Sequence, residues 1–176
     1  MLAHRTELDG VLLLEPQVFS DERGYFLETY NEKSFREAGI TERFVQDNYS
    51  HSRQHVLRGL HFQVDKPQSK LIRVIHGEIF DVVVDLRPES ASYGKWMGTN
   101  LSGEKRQLLW IPAGFAHGFY VLSATADLTY KVSNFYDRSD ERTLLWNDPD
   151  LAIQWPLRGE PVLSEKDKAG TLLRHL

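Results

Sequence analysis

The side chains best suited to proton transfer and anion binding lie in two neighbouring stretches, Val45-Gln46-Asp47-Asn48-Tyr49-Ser50 and Leu57-Arg58-Gly59-Leu60-His61-Phe62-Gln63. So many amides with an Arg and a His are unusual for adjacent core strands. Strict alternation puts Gly59, His61 and Gln63 on one face and Arg58 on the other, leaving His61 a hydrogen-bonded structural imidazole. A bulge at Gly59 would instead bring Arg58 and His61 together. Local sequence leaves both arrangements open. A second cluster, Ile111-Pro112-Ala113-Gly114-Phe115-Ala116-His117-Gly118-Phe119, is a turn leading into an apolar strand, with His117 either stabilising the turn or contacting a ligand. Arg23-Gly24-Tyr25-Phe26-Leu27-Glu28 sets a cation, two aromatics and a carboxylate on a short strand; alone, it reads as a solvated edge strand with Phe26 in the core. Singly, Lys70 reads as an exposed lysine and Tyr130 as a core tyrosine whose hydroxyl has a partner. Asp167 reads as part of the capping box Ser164-Glu165-Lys166-Asp167.

Composition narrows the chemistry. The chain has no Cys, which excludes thiolate nucleophiles, iron–sulfur ligation and sulfur-built zinc sites and leaves His, Tyr, Lys and carboxylates. Its 25 acidic and 21 basic residues give a net charge of −4, which argues against nucleic acid and acidic membranes as partners; an anionic ligand needs a local basic pocket. With 176 residues, 41% hydrophobic and 26% charged, the expectation is one folded domain spanning 1–176. The apolar run from Val11 to Leu14 is too short for a signal sequence, and nothing approaches the ~18 apolar residues of a membrane span, so the expected address is the cytoplasm.

The elements that must position these groups are mostly strands. Runs of β-branched and aromatic residues bounded by Gly, Pro, Asn or Asp predict strands over 11–18, 25–30, 44–50, 56–63, 71–76, 78–86, 95–101, 107–111, 117–122, 126–133 and 142–146. This is the pattern of an all-β sandwich or barrel. In the clearest run, Phe80, Val82, Val84 and Leu86 share what should be the core face, opposite Ile79, Asp81, Val83 and Asp85, although Asp81 could also face the barrel interior, where the sequence assigns it no role. His76-Gly77 suggests a tight hairpin into the preceding strand. Helical signal is confined to 31–38, stopped by Gly39, and to a short terminal piece after Ser164.

The Pro-x-Gly-x-x-His turn resembles the second motif of cupins, small double-stranded β-helix (jelly-roll) barrels, many of which hold a metal through a His-x-His pair, a Glu and this downstream His. Here the first segment is His61-Phe62-Gln63, with Gln for the second His, so a metal-free barrel is expected. A more specific resemblance covers nearly the whole chain, from about Gly10 to Asp167. Arg-Gly-Tyr-Phe, Gln-Asp-Asn-Tyr-Ser, Leu-Arg-Gly-Leu-His-Phe-Gln, Lys-Leu-Ile-Arg-Val, Phe-Asp-Val-Val-Val-Asp-Leu-Arg, Ile-Pro-Ala-Gly-Phe-Ala-His-Gly-Phe, Trp-Asn-Asp-Pro and Leu-Ser-Glu-Lys-Asp occur in the order seen in dTDP-4-dehydrorhamnose 3,5-epimerases.

That resemblance implies inversion of C3 and C5 of dTDP-4-dehydro-6-deoxy-D-glucose, on either side of the C4 ketone, through an enolate, in dTDP-L-rhamnose biosynthesis and without a cofactor or metal. It implies that His61 is the base, Asp167 its orienting carboxylate, Tyr130 the acid across the ring and Lys70 the cation at the C4 oxygen. Arg23 and Arg58 match positions that bind the diphosphate; Phe26, Glu28, Gln46, Asn48, His117, Glu141 and Lys166 match further substrate contacts, and Tyr136 an aromatic stacked on thymine. Family members form homodimers with exchanged N-terminal strands, so Arg23 to Glu28 would complete the neighbour's site. Two positions depart from the family pattern: Asn134, where Asp is expected, and Ser69, where Ala or Gly is usual. Enzymes that epimerise only C3 or only C5 keep much of the same machinery and form the nearest alternative. A metal-dependent cupin enzyme and a noncatalytic sugar-nucleotide binding barrel are more distant ones.

Overall fold

The computed structural model describes residues 1–176. Thirteen strands form two antiparallel sheets and a separate hairpin. The first sheet runs in the order β1 (Leu2–Arg5), β2 (Leu12–Glu15), β10 (Leu108–Ile111), β7 (Lys70–His76), β12 (Thr125–Val132) and β5 (Gln46–Arg53). The second runs β13 (Glu141–Thr143), β6 (Leu57–Gln63), β11 (Phe115–Val121), β8 (Glu78–Asp85) and β9 (Trp96–Ser102). From β5 onward the chain alternates between the two sheets, staying within one only at the β8–β9 turn. This winding makes the double-stranded β-helix barrel. Its main core lies between the sheets, where Ile72, Val74 and Leu128 of the first meet Ile79, Val83 and Phe119 of the second.

The predicted strand over 11–18 is two strands. Pro16, which cannot donate to a ladder, separates β2 from β3 (Val18–Asp21), and β3 pairs only with β4 (Gly24–Leu27). Strand β1, too polar to stand out in sequence, is added at the edge beside β2. Helix α1 (Glu32–Glu37) is capped by Asn31, whose side chain accepts from Lys33 N and Ser34 N. Phe35 on α1 packs against the outer face of the first sheet, with Leu14, Leu71 and Trp110. Helix α2 (Glu165–Lys168) starts at Ser164, as the capping box predicts.

Two expectations are overturned. The face of β8 that lines the barrel interior carries Ile79, Asp81, Val83 and Asp85; Val82 and Val84 point outward. Both faces are buried because Leu144, Leu151 and Trp155 of the C-terminal segment cover the outer one. Period-two patterning cannot rank two buried faces. Nor is there a hairpin at Gly77, since β7 and β8 belong to different sheets. Gly77 (φ +80°) instead turns the corner between them, where a Cβ would lie 2.5 Å from Ser123 Oγ.

Candidate active site

A bulge builds the centre of the site. His117 of β11 stands opposite His61 of β6, whereas Phe119, two residues on, stands opposite Arg58, three residues back, so β6 carries one extra residue. Gly59 absorbs it with φ +123°; a Cβ there would meet Gly118 Cα at 2.5 Å and His117 O at 2.8 Å. Arg58 and His61 therefore reach the same cavity, which strict alternation would have forbidden.

That cavity, of about 360 Å³, opens between the sheets. Ten of the residues singled out in the sequence line it: Gln46 and Asn48 of β5, Arg58 and His61 of β6, and Lys70, His117, Tyr130, Tyr136, Glu141 and Lys166. Asp167 lies directly behind His61. Arg23, Phe26 and Glu28 do not reach the cavity. Arg23 is paired with Asp21, Glu28 accepts from Asn31 Nδ2 (2.9 Å), and Phe26 is 68% exposed rather than in the core. The β3–β4 hairpin that carries Arg23 and Phe26 buries little of itself within one chain.

His61 Nε2–H donates to Asp167 Oδ1 at 2.6 Å across 106 residues of sequence. An ionised carboxylate only accepts, so the ring proton sits on Nε2 and Nδ1 keeps its lone pair. Asp167 Oδ2 accepts from Ser164 Oγ (2.7 Å), and the same hydroxyl accepts from Asp167 N (3.2 Å); helix capping and imidazole orientation are performed together. Burial lowers the His61 pKa below its ordinary 6.5, with Asp167 pulling the other way. Burial also opposes the Asp167 charge, but the hydrogen bonds from His61 and Ser164 outweigh it and hold that carboxyl below its usual value. The product is a neutral imidazole beside an ionised carboxylate.

Lys70 is buried, not exposed, and donates from Nζ to His61 O at 3.1 Å. Desolvation lowers it to about 8. Tyr130 enters the cavity from β12 in the opposite sheet to His61, and its hydroxyl is free of side-chain partners and open to a ligand. Burial raises its phenol above 10, so it stays protonated at neutral pH. Tyr136 donates from its hydroxyl to Glu141 Oε2 (3.0 Å), which also accepts from Lys166 Nζ (2.8 Å). The Tyr136 backbone N–H donates to Gln46 Oε1 (3.0 Å). Arg58 is aimed by Nε donation to Ser52 Oγ (2.9 Å).

Several contributors escaped sequence reasoning. Ser50, Phe62, Gln63, Gln68 and Ile72 also line the cavity. Gln63 donates to Lys66 O (2.8 Å) and Phe135 O (3.3 Å) and accepts from Asp137 N (2.9 Å), so at the cupin metal position it clamps the loop that carries Tyr136. Asp81, which the sequence allowed into the barrel interior but gave no role, is fully buried there and accepts from His117 Nε2 at 2.8 Å. The departures from the family pattern have local reasons: Ser69 Oγ accepts from Ala113 N (3.0 Å), and Asn134 Nδ2 donates to Pro67 O (2.7 Å). His61 and His117 both commit Nε2 to a carboxylate, and no group of three or more His, Asp or Glu side chains is arranged to hold a metal ion.

Residues 5–175 match the family model described as dTDP-4-dehydrorhamnose 3,5-epimerase. The chain belongs to this family. A dTDP-4-dehydrorhamnose 3,5-epimerase of Pseudomonas aeruginosa is 52% identical over 171 residues, 97% of this chain and 94% of that one. The crystal structure of the Legionella pneumophila dTDP-6-deoxy-D-glucose-3,5-epimerase, in complex with dTDP-4-keto-L-rhamnose, superposes with a TM-score of 0.96 at 49% identity, covering 98% of this chain and 93% of that one. A Streptomyces niveus protein named dTDP-4-dehydrorhamnose 3-epimerase is 42% identical over 94% of this chain and 81% of its own. The family's cupin-type barrel is the one described above. No helix is long and apolar enough to cross a membrane.

Proposed function

We propose that this epimerase-family chain inverts C3 and C5 of dTDP-4-dehydro-6-deoxy-D-glucose to give dTDP-4-dehydro-L-rhamnose. The observation that carries the reading is the opposition of two walls: a neutral His61 held by Asp167 on one, a protonated Tyr130 on the other, and the Lys70 ammonium in the same cavity. Protons on C3 and C5 are acidified by the C4 ketone. His61 Nδ1 takes one, the electron pair of the C–H bond moves into the enolate, and its oxygen is stabilised by Lys70. Tyr130 then returns a proton to the same carbon from the opposite face. His61 has gained a proton and Tyr130 lost one, and exchange with water resets both.

Arg58 supports diphosphate binding through its forked donors, and Lys166, Glu141, Gln46, Asn48 and Tyr136 support nucleoside recognition, with Tyr136 offering a π-face to thymine. His117 lines the sugar end. The β3–β4 hairpin supports a homodimer: it pairs with no third strand, and Phe19, Tyr25 and Phe26 on it are 54%, 54% and 68% exposed. In that dimer Arg23, Phe26 and Glu28 close the neighbour's cavity. The Streptomyces niveus relative, named a 3-epimerase, makes single-centre inversion the alternative. Incubation with dTDP-4-dehydro-6-deoxy-D-glucose and NMR assignment of the product separates the two: inversion at both carbons supports the reading, and inversion at C3 or C5 alone replaces it.

A further inference from the structure

The pocket contains a second imidazole–carboxylate pair. Asp81 projects from the barrel-facing side of β8, is 0% exposed and accepts from His117 Nε2 at 2.8 Å with Oδ2, while its Oδ1 has no hydrogen-bond partner. A carboxylate buried with one oxygen unpaired is costly to the fold, and no arginine is paired with it. The compensation lies in the cavity. Lys70, buried beside the same pocket, makes one hydrogen bond, to His61 O, and Asp81 exerts the largest attraction on its charge. The remaining ionisable groups around Lys70 divide by sign: Glu141 attracts, Lys166 repels, and Arg58, His61, His117 and Tyr130 share the cavity.

We propose that Asp81 is a positioning residue for the sugar end of the site, holding His117 with its proton on Nε2 and supplying the counter-charge that keeps the Lys70 ammonium in a dry pocket. This rests on the epimerase reading above. By accepting from Nε2, Asp81 turns the Nδ1 lone pair of His117 into a hydrogen-bond acceptor for a sugar hydroxyl. Lys70 remains the donor to the carbonyl oxygen. The site thereby carries two oriented imidazoles with different tasks: His61 backed by Asp167 to move a proton, and His117 backed by Asp81 to hold the ring.

Asp81→Asn tests this, because asparagine keeps the shape and an acceptor for His117 but removes the charge. The expected result is a kcat at pH 7 lower by about tenfold or more, with KM changed by no more than about twofold. The alkaline limb of the pH profile should also move about one pH unit toward acid, as loss of a nearby opposite charge requires. An alkaline limb unmoved from wild type would overturn the proposal. If the variant does not fold, ¹⁵N NMR of the wild-type imidazoles decides: His117 protonated on Nε2 at neutral pH supports the proposal and protonation on Nδ1 overturns it. A wild-type protein that exchanges no substrate proton with solvent would overturn the epimerase reading instead.

Discussion

At His61 two opposing effects set what the imidazole can do. Burial favours the neutral ring and Asp167 favours the charged one; burial wins, so the ring remains unprotonated somewhat below pH 6.5, as the proposed base must. Activity as kcat/KM should therefore fall only as pH drops through that depressed value. On the alkaline side it should fall as Lys70 loses its proton near pH 8, well before Tyr130 ionises. A profile with no alkaline limb below pH 9 would contradict the role of Lys70. The same burial has a cost. Because the folded-state value is about 8 and the ordinary one 10.5, the fold is disfavoured by about 3 kcal/mol wherever Lys70 is charged, below pH 8. Lys70→Met should therefore remove turnover at pH 7 while leaving a folded protein, which activity and thermal unfolding of the same preparation check; turnover retained at the wild-type rate would contradict the role of Lys70. Which residues gather at the cavity was largely legible in the sequence because ordered motifs carried them. The burial of Lys70 was not, since a lone Lys beside Gln68-Ser69 carries no sign of the strands that enclose it.

At the scale of elements, the site depends on one inserted residue. Alternation and bulge made opposite predictions for Arg58 and His61, and Gly59 against Gly118 decides for the bulge because neither position has room for a Cβ: one on Gly118 would lie 2.6 Å from Arg58 O. Gly59→Ala should cost about 2 kcal/mol or more and lower Tm by roughly 4–8 °C, with the surviving activity reduced further than stability explains. Thermal unfolding and kcat measured on the same preparation check this; an alanine variant of wild-type Tm and rate would mean the bulge is not required. Strand existence was legible from β-branched runs. Which face of β8 lines the interior was not, because that depends on the C-terminal segment, more than sixty residues away, covering the other side. The false hairpin at Gly77 failed for a related reason: a glycine turn reads alike whether the chain returns to its own sheet or crosses to the other.

For the whole molecule, the exposed hairpin predicts sharing of residues between two copies. Arg23→Ala and His61→Ala variants should each be impaired, the first mainly in KM. Co-expressed and assayed at substrate well below KM, they should recover about a quarter of wild-type kcat/KM, because half the assemblies are mixed and each mixed dimer keeps one intact site. No recovery above the separate variants would place Arg23 outside the neighbour's site. The barrel and the cavity were legible as a family pattern, but the His61–Asp167 contact spans 106 residues and only the closed fold brings it about. His61 is the proposed base for both centres. Its most direct test is ¹H NMR of dTDP-4-dehydro-6-deoxy-D-glucose incubated with the protein in deuterated water. Wild type should introduce deuterium at C3 and C5, Tyr130→Phe should impair completed inversion more than initial proton removal, and His61→Ala should introduce none at either carbon. Exchange by His61→Ala at the wild-type rate would contradict it.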